Sequence, residues 1–119
     1  MELEHASERL DGLFRALADP ARRAVLERLS KGPASVSDLA EPFSMALPSF
    51  MKHIHVLESS GWIVTRKEGR VRTCALDRDA FALAGAWLSE QRALWEARFD
   101  RLDALLEGGP EDDNRPARS

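Results

Sequence analysis

The chain has 119 residues, 44% hydrophobic and 31% charged, with a net charge of −3 and one cysteine. That composition describes a single domain with a modest core, and it contains no apolar run near the roughly 20 residues a membrane span needs. Cys74 stands alone, so no internal disulfide is expected, and Glu2 and Glu4 stand where a basic secretory leader would begin, which suits the cytoplasm.

The charge is unevenly spread. Within residues 44–78, Lys52, Arg66, Lys67, Arg70, Arg72 and Arg78 are set against Glu58, Glu68 and Asp77, a net of +3, while both flanking segments are net negative. Phosphates respond to such a local concentration, so the acidic total does not exclude nucleic acid.

Residues from about Glu4 to Leu17 read as a helix, because Leu10, Leu13, Phe14 and Leu17 recur at helical spacing. Asp19 offers an N-cap for a second helix and Pro20 its first position, where a missing N–H is harmless. That helix is expected to reach about Ser30, burying Val25, Leu26 and Leu29 and exposing Arg22, Arg23, Glu27 and Arg28. After Gly32-Pro33, Ser35 with Asp38 begins a short third helix whose Val36, Leu39 and Ala40 face inward. Pro42-Phe43-Ser44 makes a turn, and a fourth helix follows over about residues 46–58.

In the fourth helix Leu47, Phe50, Ile54 and Leu57 form one apolar stripe. Ser49, Lys52, His53 and His55 lie off it, with no carboxylate before Glu58. A short helix, a turn and a longer helix with this outer face make a helix-turn-helix, whose second helix is the one that enters DNA. An ordinary amphipathic helix is the alternative when the segment is read alone.

Gly61 stops the fourth helix. The β-branched and aromatic segments Trp62–Lys67 and Val71–Leu76 then predict a hairpin over about 62–76, with Glu68-Gly69-Arg70 at its tip. Directly after a recognition helix, a hairpin carrying Arg66, Lys67, Arg70 and Arg72 reads as a wing, a plain surface hairpin being the alternative.

A last helix over about 78–106, capped by Asp77 or Asp79, carries Phe81, Ala84, Leu88, Trp95, Phe99, Leu102 and Leu106 on one seam. Trp87, Leu94 and Leu105 widen it. This is more apolar surface than one small core covers, so the first and last helices are expected to pack in a two-fold dimer through Leu10, Phe14, Trp87, Leu88, Trp95, Phe99 and Leu102. Folding back as a monomer is the alternative. Residues 108–119, charged and without apolar anchors, are expected to be a disordered tail.

Four motifs in order resemble one known group. Residues 14–26 (Phe14-Arg15-Ala16-Leu17-Ala18-Asp19-Pro20 onward) look like the ALADPTRRAIL opening of ArsR-type winged-helix repressors. Val36-Ser37-Asp38-Leu39-Ala40 resembles their third helix, residues 47–61 their QPTVSKHLKVLEEAGL recognition helix, and Glu68-Gly69-Arg70-Val71-Arg72 their wing. The resemblance covers about residues 10–78, and the Trp-rich last helix looks like a subgroup often encoded beside START-like hydrophobic-ligand proteins. It implies a mainly α fold with a small β-hairpin, and a homodimeric repressor binding an imperfect palindrome of double-stranded DNA near its own promoter. Base contacts are expected from Ser49, Lys52 and His53.

Two positions depart from the family pattern. Ala46 stands where Ser or Thr commonly caps the recognition helix, an absence that costs on the order of 1 kcal/mol unless Ser44 substitutes. Leu47 stands where Gln is common; it packs inward or touches a thymine methyl, but it cannot form the paired hydrogen bonds Gln makes to adenine. Met51 likewise replaces a frequent small polar residue.

The family's metal sensors use cysteines near positions 36 and 37 or a histidine in the last helix, and this chain has neither. His53 and His55 diverge on a helix, so no metal site or cofactor is expected. Cys74 reads as a small buried hydrophobe, with a redox thiol as the alternative. Any effector would be a small molecule of unspecified class. No convergent catalytic groups or phosphate loop suggest an enzyme. The competing function is a winged helix serving as a protein-interaction module without DNA binding.

Overall fold

A computed structural model of the protein describes residues 2–107, with side chains from residue 5 onward. The expected tail, 108–119, lies outside the described residues. The elements in chain order are α1 (Glu2–Ala16), α2 (Pro20–Leu29), β1 (Ala34–Ser35), α3 (Val36–Ala40), α4 (Leu47–Ser60), β2 (Ile63–Glu68), β3 (Val71–Leu76) and α5 (Arg78–Glu107). The chain divides after Ala84 into two units.

The first unit holds the helix-turn-helix and the wing. Its core gathers Leu13 and Ala16 of α1, Val25, Leu26 and Leu29 of α2, Leu39 of α3, and Phe50, Ile54 and Leu57 of α4. Trp62, Ile63 and Cys74 complete it from the sheet side, with Ala80 and Ala84 of α5. Trp62 is buried with its indole satisfied, Nε1 donating to the Leu13 carbonyl at 2.8 Å. That bond ties α1 to the junction between α4 and the wing.

Local chemistry sets the helix ends. The Asp19 carboxylate accepts the Ala21 amide at 2.7 Å and the Arg22 amide at 3.2 Å, the expected N-cap of α2. Ser35 Oγ accepts the Asp38 amide at 3.1 Å and caps α3. α4 begins after Ala46 with no side-chain cap, so Ser44 does not substitute. Gly61, at φ 101°, ends α4 in a Schellman motif: its N–H donates to the Glu58 carbonyl at 3.1 Å, and the Trp62 N–H donates to that of Leu57 at 3.0 Å.

The hairpin has a two-residue connection, since Glu68 pairs with Val71 across Gly69 and Arg70. Gly69 takes φ 62° at the first turn position, the left-handed value that a tight hairpin turn requires there. The sheet has a third strand that the sequence reading missed. Ala34 and Ser35 pair antiparallel with Cys74 and Thr73, giving the order β1-β3-β2.

The second unit is the remainder of α5 from Gly85. Trp87, Leu88, Leu94, Trp95, Phe99, Leu102, Leu105 and Leu106 are all exposed there. The Trp95 and Phe99 rings meet edge to face, 6.2 Å between centroids.

Candidate nucleic-acid interface

α4 presents two distinct faces. Phe50, Ile54 and Leu57 are buried, while Pro48, Lys52, His55 and Ser59 follow one another along the outer line at helical spacing. Ser49 is exposed beside that line. The Ser59 hydroxyl donates to the His55 carbonyl at 2.8 Å, which leaves Ser49, Lys52 and His55 as the outward polar groups of the helix.

Leu47 does not belong to the buried stripe. It is 57% exposed, because the helix begins one turn before the core does. The inward alternative for this residue is therefore corrected. Met51 is half-buried and packs against the core.

The helix's carboxylate is occupied. Glu58 Oε2 accepts the Thr65 hydroxyl at 2.7 Å, and Thr65 Oγ1 accepts from Arg72 Nη1 at 3.2 Å. This relay fastens the wing to the end of α4 and engages Arg72, which is half-buried. The other wing cations, Arg66, Lys67 and Arg70, are exposed.

The pairing sorts these cations by face. Lys67 lies opposite Arg72 and Arg66 opposite Thr73, so adjacent Arg66 and Lys67 project from opposite faces of the sheet. Arg70 occupies the tip.

His53 is turned toward α2. Its Nδ1 lies 3.3 Å from Arg22 Nη1 and 4.0 Å from Asp19 Oδ1. Arg22, expected to be exposed, is half-buried, its Nε donating to the Ala16 carbonyl at 2.7 Å. Sequence periodicity cannot show this contact, because Arg22 and His53 meet only when α2 packs on α4. The one signal was the position of Arg22 in the first turn of α2, beside its cap.

Burial pushes the Asp19 carboxyl up, but the hydrogen bonds from the Arg22 and Ala21 amides, with the Arg22 guanidinium nearby, hold it below the usual carboxylate value. A lowered pKa favours folding above the ordinary carboxylate value, and the contribution is lost as pH falls through the folded pKa. Asp19→Ala should therefore cost about 1 kcal/mol at neutral pH and progressively less in strong acid. Urea denaturation at pH 7 and near pH 3 checks this, and an unchanged difference would refute the charge-linked part.

Cys74 is fully buried. Burial, then the Glu58 carboxylate, raises its thiol pKa, against a smaller lowering by Arg72, so the group stays a protonated thiol and not the nucleophilic thiolate. No described helix is long and apolar enough to cross a membrane.

The comparisons agree with this architecture. A family described as a helix-turn-helix domain matches residues 17–66. The HTH-type transcriptional regulator Rv2034 of Mycobacterium tuberculosis is 36% identical over 72 residues, 60% of this chain and 67% of the relative. The transcriptional repressor SdpR of Bacillus subtilis is 31% identical over 61 residues, 51% of this chain and 68% of the relative. The crystal structure of an ArsR family transcriptional regulator is 68% identical, with a TM-score of 0.72, covering 76% of this chain and 93% of that one. The protein belongs to the ArsR family of winged helix-turn-helix transcriptional regulators.

Proposed function

We propose that the protein is a homodimeric repressor, without enzymatic activity, that binds an imperfect palindrome of double-stranded DNA near its own promoter. The observation that carries this reading is the outer face of α4: Ser49, Lys52 and His55 point outward, and the Glu58 carboxylate is held by Thr65. The similar repressor of Bacillus subtilis supports the sign of regulation.

In this reading residues 1–107 form one functional domain. Ser49, Lys52 and His55 face the major groove, with His53 at the edge of that face beside α2, one helix per protomer and half-sites about 34–36 Å apart or a multiple of that. The wing follows the neighbouring backbone. Arg66 and Lys67, on opposite faces, and Arg70 at the tip meet phosphates, and Arg72 holds the wing to α4. The exposed seam of α5, Trp87, Leu88, Trp95, Phe99 and Leu102, packs against a second copy, and Leu10 and Phe14 of α1 add to the contacts with the partner. The protein acts in the cytoplasm, and any effector is a small molecule.

A gel shift against the DNA upstream of its own coding sequence tests the reading. A preferred palindrome with steep salt dependence supports it, and the absence of sequence-preferring binding at low salt favours a protein-interaction module. Lys52→Ala and Arg70→Ala should each reduce the slope of log affinity against log salt by about 1, as removal of one phosphate contact does. An unchanged slope would refute that assignment.

A further inference from the structure

The Arg22–His53 contact fixes more than a side-chain position. A guanidinium offers N–H donors only and keeps its proton in proteins. At 3.3 Å, Arg22 Nη1 can donate to His53 Nδ1 only if that nitrogen is an acceptor, which places the imidazole's single proton on Nε2. Arg22 is itself held in place, by the Ala16 carbonyl at Nε and by the Asp19 carboxylate at its amide.

The distal nitrogen remains open. The contacts of His53 with Arg22 and Asp19 all involve Nδ1. Among the described residues no buried side-chain nitrogen or oxygen lacks a partner, so Nε2, which has none among them, reaches solvent. The side chain is 21% exposed, enough for one edge of the ring.

We propose that Arg22 is a positioning residue for DNA recognition: by engaging His53 Nδ1 as an acceptor it favours the Nε2–H tautomer, so that each recognition helix presents an N–H donor of fixed direction to an acceptor on DNA. The inference rests on the reading of α4 as the DNA-reading helix. Lys52 supplies charge, which attracts any phosphate. A donor of fixed direction adds a contact that depends on where an acceptor lies, on a base edge or on a phosphate.

Long-range proton–nitrogen NMR of the free full-length protein reads the tautomer without DNA. The neutral imidazole of His53 should carry its proton on Nε2, and Arg22→Ala should redistribute it between tautomers. Protonation at Nδ1 in the unsubstituted protein, or an Arg22→Ala spectrum identical to it, overturns the proposal.

Because Arg22→Ala also removes the bond to Ala16 and could unfold α2, two substitutions at His53 carry the binding arm. His53→Gln can accept from Arg22 and still donate outward, so affinity for the upstream duplex should stay within about twofold, while His53→Leu should lose about tenfold. Loss uniform across duplexes marks a phosphate acceptor, and loss confined to one base position marks a base edge. His53→Leu binding as tightly as the unsubstituted protein, with Lys52→Ala weakened, overturns this proposal alone. Unsubstituted protein that binds no duplex overturns the functional reading and this proposal together.

Discussion

Phe50→Ala should destabilise the folded protein by about 3–5 kcal/mol, the usual consequence of emptying a fully buried aromatic site. Phe50 has no exposed surface, and its ring sits 5.3 Å from that of Phe43, in the turn before α4. Ile54 and Leu57 on the same face are buried as well, so the emptied site lies inside the core. A domain of this size has a total stability of roughly 5–15 kcal/mol, so the melting temperature should fall by roughly 15 °C or more. Circular dichroism melts at matched protein concentration would show it, since any self-association makes the midpoint concentration-dependent. A fall of only a few degrees would mean that the turn and α4 close over the cavity. DNA affinity should suffer even in the fraction that stays folded, because Phe50 anchors the helix that carries Ser49 and Lys52.

Trp95→Ala should act on assembly and leave the fold of each chain intact. Trp95 is 61% exposed and lies on the apolar seam with Leu88, Phe99 and Leu102. Large aromatic residues at the centre of an interface commonly cost 2 kcal/mol or more on truncation. In a two-fold dimer every substitution is made twice, so the loss is about 4 kcal/mol and dimer dissociation strengthens roughly a thousandfold. Sedimentation velocity over a concentration series should show monomer at concentrations where the unsubstituted protein is expected to be dimeric, with the helix content at low temperature unchanged and the melting midpoint lowered only as far as the lost association lowers it. An unaffected dimer removes Trp95 from the interface.

Much of this fold was legible because its signals are local. Asp19-Pro20, Ser35 with Asp38, and Gly61 each act on backbone groups a few residues away, and each does in the structure what its chemistry dictates. The buried stripe of α4 followed from spacing alone at Phe50, Ile54 and Leu57. Spacing failed at Leu47, where the helix outruns its core, a fact of tertiary contact. A strand of two residues, Ala34 and Ser35, has no periodicity to detect.

Within the candidate site, exposure was legible for Ser49, Lys52, His55, Arg66, Lys67 and Arg70. The engagement of Arg22, His53 and Arg72 was not, because each depends on a partner brought up by folding. The sequence motif that resembled the family carried Arg22 and His53 in separate segments, and only packing joins them.

The pairing of β1 with β3 bears on how the molecule comes together. Ala34 and Cys74 are far apart in the chain, so their ladder cannot form until the whole helix-turn-helix has closed into a loop between them. The helices can gain structure from near-neighbour contacts, while β3 is shared between the hairpin and the strand that leads into α3. The wing is therefore not an independent appendage that folds and frays by itself. Through β3 it is hydrogen-bonded to the strand that leads into α3, so it cannot part from the helix-turn-helix without giving up that ladder.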